Sequence, residues 1–293
     1  MRPFVIICHN LNRLTKFLYL YMIGINGIIK SYGYQKELDL LILVRILEGE
    51  NMWILERFLY MLNPKNWHNV SVERKLFREL RRNKIKFNSW VEFSCKTFKE
   101  TDKKAAPILI KYIEQFDSED WQLQYIGALG VKGFDDATEY LIEKYKKYLH
   151  PYNQWCLNDV SQTLARICDL RYLDTYFEFL SNDVTIDACY LVQMLGKLKV
   201  EKAIPYLIKL VDCVAIIPKE WIGFGIEEQK FYVSQCAIEA LGRFKRKELN
   251  QYIEKFLNPS AIEWIKYTEP NENANVLKST YKEYIKVATK AMC

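Results

Sequence analysis

Glycine and proline are scarce in this chain, at 11 and 8 of 293 residues. So few turn formers argue against many short strands joined by tight turns, and against a disordered or fibrous chain. Histidine is scarcer still: only His9, His68 and His150 occur. Nucleophilic catalysis needs a base beside an activated Cys or Ser. His9 follows Cys8 but stands in an apolar N-terminal stretch, and His150 precedes Pro151 in a turn, so all three read as surface or turn residues. No C-x-x-C, H-x-x-x-H or H-E-x-x-H spacing is present. The sequence therefore offers no metal site, and no cofactor is expected. Gly223-x-Gly225 is the only G-x-G pair, and no strand precedes it to build a phosphate loop. Asp135-Asp136 and Glu119-Asp120 stand just before expected helices, where they read as caps and as charges that suit a helix N-terminus.

Long apolar runs are also missing. The longest, Phe17–Ile29, has 13 residues, short of the roughly 18–20 that a spanning helix needs. For residues 1–30 the leading reading is a buried or capping segment. A translated extension with Met22 as the true start, and a membrane-associating segment, stay open beside it. No signal peptide is expected, for lack of a small-residue cleavage site. The eight cysteines are far apart, and Cys156, Cys189 and Cys236 fall on apolar helix positions. They read as free, buried thiols in a reducing compartment, which implies a cytoplasmic protein.

What the chain has is a phrase repeated four times. Ala128-Leu129-Gly130, Thr163-Leu164-Ala165, Met194-Leu195-Gly196 and Ala240-Leu241-Gly242 each close an apolar-periodic segment. Ten or eleven residues after each small residue a tyrosine opens a second segment: Tyr140, Tyr176, Tyr206 and Tyr252. The next residue is apolar each time: Leu141, Phe177, Leu207 and Ile253. Four residues before the Leu column stand Tyr125, Val160, Leu191 and Ala237, and three before it Ile126, Ser161, Val192 and Ile238. These positions make one inward stripe per helix. One helix pair cannot bury both its faces, so the pairs must stack. The small residue lets a neighbour approach closely.

Ala105-Ala106-Pro107-Ile108-Leu109-Ile110-Lys111 parallels Ala203-Ile204-Pro205-Tyr206-Leu207-Ile208-Lys209, which adds a fifth repeat with a poorer first helix near 89–101. Further helices are expected over 35–48, 52–62, 71–83, 105–116 and 276–292, the last with Lys278, Lys282, Lys286 and Lys290 along one face. The fold class is all-α, an α-α superhelix. Residues 1–30 form the apolar segment, 31–88 a basic helical region, 89–260 the repeat array and 261–293 the capping helices.

On the A-L-G and L-G helix ends and the A-x-P-Y-L-I-x-L opening at 203–210, the chain resembles the HEAT-repeat family. The likeness is greatest to the short HEAT-like repeats of the phycobilisome-lyase type. It covers about residues 90 to 260 and implies a right-handed α-solenoid, a fold that mostly binds other molecules.

Two features depart from the repeat. The gaps between the small residues are 35, 31 and then 46 residues. The excess lies in an insertion at 214–230 that contains Trp221, Ile222 and Phe224, the expected anchors for a protein partner. Trp121 and Trp155 open first helices, as Trp90 does for an earlier one, and read as packing between repeats. The second departure is charge. Residues 1–100 carry 17 Lys/Arg against 9 Asp/Glu, whereas 101–293 carry 25 against 27. Arg74, Arg78, Arg81 and Arg82 should share a helix face, with Leu76, Phe77 and Leu80 turned inward. A solvated surface helix is the reading that stands first, and phosphate backbones, anionic membrane or an acidic protein are the partners such a face would attract.

The function expected first is a non-catalytic protein-interaction scaffold. A nucleic-acid-associated role through 74–86 stands second. A lyase- or chaperone-like role on a bilin-bearing or otherwise modified protein, and a toxin-neutralising immunity role, remain as further alternatives. Membrane contact is expected only through residues 1–30.

Overall fold

The computed structural model describes residues 63–85, 98–150, 152–181, 184–215, 231–262 and 274–293. The expected helices at 35–48 and 52–62 and residues 89–97 of the one at 89–101, together with His9, Trp90 and the anchors Trp221, Ile222 and Phe224, lie outside these residues. The described residues are helical throughout, with no strand among them. The chain divides into two compact units, 1–67 and 68–293.

Helix α1 spans Trp67–Arg82, α2 Ala105–Ile113, α3 Glu119–Ala128, α4 Thr138–Leu149 and α5 Gln154–Ile167. Then follow α6 Leu173–Phe179, α7 Cys189–Lys197, α8 Ile204–Leu210, α9 Tyr232–Gly242, α10 Asn250–Ile253 and α11 Ala274–Met292. Helix α1 starts four residues before the Ser71 expected from sequence. The reason is Asn63, whose side chain accepts from the Lys65 backbone N–H at 3.1 Å and so opens a short 3-10 turn over Pro64–Asn66 that runs into α1. The Asn-Pro pair therefore begins a helical segment. Glu119 and Asp120 sit inside the first turn of α3 and make no cap. They act on the helix N-terminus through charge alone.

Most of these helices are too short to persist alone in water, so burial must hold them. The repeat columns supply it. Leu129, Leu164, Leu195 and Leu241 are buried, and so are the residues three and four before them, Ser161 included. Leu141, Phe177, Leu207 and Ile253 are buried in the second helices. Each such apolar side chain contributes about 1.5–3 kcal/mol.

The stacking follows the repeat. Helix α3 packs on α5, α5 on α7, α7 on α9 and α9 on α11, so the first helix of each pair meets the first helix of the next. Second helices pack on first helices at α2–α3, α4–α5, α8–α9 and α10–α11. Between second helices, Tyr145 of α4 stacks on Phe179 of α6 at 4.1 Å, and Phe177 of α6 on Tyr206 of α8 at 4.3 Å. Ion pairs tie the same row at its ends: Lys144 to Glu114 at 2.6 Å and Lys255 to Asp212 at 2.6 Å.

The small-residue column does what its size allows. A Cβ on Gly196 would stand 2.5 Å from Ala240 Cβ and 2.6 Å from its Cα, on the neighbouring α9. A Cβ on Gly242 would stand 2.5 Å from Ala291 Cα on α11. Three residues past each small residue the backbone turns left-handed, at Gly133, Cys168, Lys199 and Lys245. Around Lys199 the Val200 N–H donates to the Leu195 carbonyl at 3.1 Å, which closes α7 with a Schellman turn. In this repeat the column residue Leu195 thus also supplies the carbonyl on which its helix ends.

Candidate partner-binding face

Trp155 opens α5, yet it is 68% exposed. This corrects its assignment to packing between repeats. Trp121, the equivalent opening residue of α3, is buried and stacks on Phe116 at 5.3 Å as expected. The difference is one helical position. Trp155 stands nine residues before its column leucine and Trp121 eight before, a rotation of about 100° around the helix. Tyr232 occupies the Trp155 position on α9, nine residues before Leu241, and is 46% exposed.

Amide side chains join these aromatics across consecutive repeats. One turn after Trp155, Asn158 Nδ2 donates to Tyr190 Oη of α7 at 3.3 Å. One turn further along α7, Gln193 Nε2 donates to Tyr232 Oη of α9 at 3.4 Å. The outer face of three successive first helices is therefore a row of Trp155, Asn158, Tyr190, Gln193 and Tyr232. Aromatic bodies with amide handles form a surface of large contact area and small ordering cost.

A buried acid lies beside this row. Asp187, 1% exposed, stands in the turn before α7 and accepts from Tyr152 Oη at 3.0 Å through Oδ2. Its Oδ1 has no hydrogen-bond partner, and neither do the buried hydroxyls of Thr185 and Ser161. Burial pushes the carboxyl up to about 6, against the pull of Tyr152 and Asn158. Sequence reading missed Asp187, since its only mark is a charge between the apolar Ile186 and Ala188.

The basic helix sorts its charges by face. Glu73 is buried and accepts from Tyr125 Oη. Glu79 accepts from Lys111 Nζ and Tyr112 Oη, both at 2.7 Å, and the Lys111 hydrogen bond holds its carboxyl below the usual range. Both acids thus serve neighbouring side chains. Lys75, Arg78, Arg81 and Arg82 are exposed and Arg74 half-buried, on the side opposite Val72, Leu76 and Leu80. Phe77, expected inside, is only half-buried. Arg81 and Arg82 also stand in the last turn of α1, where positive charge suits the helix C-terminus.

The remaining sequence candidates do not converge. His68 is exposed and its Nε2 bonds the Gln115 carbonyl at 2.9 Å, and His150 is an exposed residue at the end of α4. Among the described residues no group of three or more His, Cys, Asp or Glu could hold a metal ion. No described helix is long and apolar enough to cross a membrane. Cys156, Cys189 and Cys236 are free and buried, as their positions predict, whereas Cys168 and Cys213 are half-buried and Cys293 is exposed. No family model matches the chain, and no curated protein matches it.

Proposed function

We propose that this chain is a non-catalytic protein-interaction scaffold, a HEAT-like solenoid whose protein partner lies across the outer face of its first helices. The observation that carries the reading is the row that runs from the exposed Trp155 through the half-buried Asn158, Tyr190 and Gln193 to the exposed Tyr232. Three consecutive repeats contribute to it, and amide-to-tyrosine hydrogen bonds tie it together. Such a row suits a partner that spans several repeats, because each repeat adds one aromatic or amide contact. Trp221, Ile222 and Phe224 are proposed as further anchors on their sequence alone.

The test starts with a tagged pull-down repeated with nuclease and moderate salt, to isolate a stoichiometric protein partner. Trp155→Ala with Tyr232→Ala should weaken that partner about tenfold or more, as loss of hot-spot aromatics does, at an unchanged melting temperature. Trp221→Ala with Phe224→Ala should do the same. Affinity unchanged in both double variants would remove the reading.

A second reading rests on α1, whose two acids are engaged by Tyr125, Lys111 and Tyr112 while its arginines share the opposite face. It predicts binding to nucleic acid that falls steeply with salt. Replacing Arg78, Arg81 and Arg82 by Gln should then reduce the slope of log K against log salt by about 1 for each phosphate left without its arginine. Binding that ignores salt would exclude it.

A further inference from the structure

The row from Trp155 to Tyr232 lies where positive charge is withheld. The chain carries 42 Lys and Arg, yet residues 118–131, 151–165, 184–196 and 231–242 contain neither. These stretches hold the first helices α3, α5, α7 and α9, apart from Arg166 and Lys197 in the last turns of α5 and α7. Their acids are Glu119, Asp120, Asp159, Asp187 and Glu239. Among the described residues only Glu239 of these forms an ion pair, with Lys290 at 3.5 Å. By contrast, Glu114, Asp169 and Asp212 on other elements each hold a Lys or Arg at 2.6–2.7 Å. Glu119 and Asp120 are exposed, Asp159 is half-buried, and Asp187 is buried with its Oδ1 unpartnered. The outer face is therefore negative along the N-terminal halves of α3 and α5 and at the turn into α7, and its acids there are left without counter-charges.

On α5 the charge meets an aromatic ring. Asp159 follows Trp155 by four residues, one turn along the same side of the helix, where Cβ atoms stand about 5–6 Å apart. The Trp155 ring is the most exposed large apolar group of the face, at 68%. A planar guanidinium can lie over the indole and turn its N–H groups to the carboxylate, whereas an ammonium is a point charge that serves one or the other. Burial pushes the Asp159 carboxyl up, against the pull of Arg166 two turns on. A cation that reaches this carboxylate therefore meets a charge that water screens poorly. A phosphate backbone would find only like charge here, which sets this face apart from α1.

We propose that the occupant of the outer face is an arginine-bearing basic segment of a partner protein, with one guanidinium stacked on Trp155 and paired to Asp159. Such an occupant presupposes the outer face as the binding face and adds the chemistry of what lies there. Tyr232, 46% exposed two repeats on, offers a second ring to the same segment.

Fluorescein-labelled octa-arginine and octa-lysine peptides would be titrated against the native full chain by fluorescence anisotropy at low salt. Octa-arginine should bind more tightly by about threefold or more, the effect of a guanidinium on an exposed indole. Trp155→Ala should erase that preference, and Asp159→Asn should weaken octa-arginine by about threefold. Asp136→Asn removes an exposed acid in the turn before the second helix α4 and should leave both affinities unchanged. Equal affinity for the two peptides, or equal losses in Asp136→Asn and Asp159→Asn, would overturn the proposal. So would a purified protein partner that weakens in Trp155→Ala with Tyr232→Ala but ignores Asp159→Asn; the outer face would then stand and its basic occupant fall. A partner indifferent to all three substitutions would remove the occupant together with the Trp155–Tyr232 face.

Discussion

Replacing Gly196 by valine should lower the melting temperature by roughly 6–12 °C, the effect of about 3 kcal/mol of overpacking in a unit of this size. The neighbour is what makes the cost high. The new Cβ would stand 2.5 Å from Ala240 Cβ and 2.6 Å from Ala240 Cα. A flexible side chain could rotate away, but a Cα can yield only if α9 moves as a body, and α9 also packs on α8 and α11. Gly127 of α3 provides the control, since a Cβ there meets nothing within 4 Å. Gly127→Ala should cost nothing and gain up to about 1 kcal/mol from helix propensity. Thermal unfolding followed by circular dichroism would show the contrast. An unchanged melting temperature for Gly196→Val would mean that α7 and α9 do not approach this closely.

Asp187→Asn should stabilise the protein at neutral pH by up to about 3 kcal/mol and leave it unchanged near pH 4. The carboxyl titrates at about 6 in the folded chain against an ordinary 3.8, because burial disfavours its charge. A folded value raised in this way gives stability that is complete below the unfolded value. That stability is lost as pH climbs through the folded one. Above pH 6 the wild type must carry a buried charge whose Oδ1 lacks a partner. The carboxamide carries no charge and keeps an oxygen for the Tyr152 hydroxyl. Denaturant unfolding of both proteins at pH 4, 5, 6 and 7.5 would measure the gap, which should open over that window. A gap of constant size would show that Asp187 does not titrate there.

Which features were legible in the sequence follows from the distance over which each is encoded. The column residues, Leu129 and Leu141 through Leu241 and Ile253, are set by local periodicity, and every one is buried as the pattern requires. Gly196 and Gly242 could be read as sites of close approach because the need for a small residue recurs in register. The outer face could not be read. Whether Trp155 points in or out depends on one residue of helical phase, and its partners on the face come from helices dozens of residues away. The same holds for Asp187 with Tyr152, 35 residues apart. The left-handed helix ends of the repeats were hidden for another reason: glycine, their usual marker, stands at only one of the four.

Those helix ends mean that the molecule is held below its own ceiling. Cys168, Lys199 and Lys245 keep backbone angles that cost a side chain about 1 kcal/mol each and cost glycine almost nothing. The sister repeat already uses the cheaper residue at Gly133. A lineage under heat could therefore harden the array one repeat at a time by copying that choice, leaving the Trp155–Tyr232 row untouched.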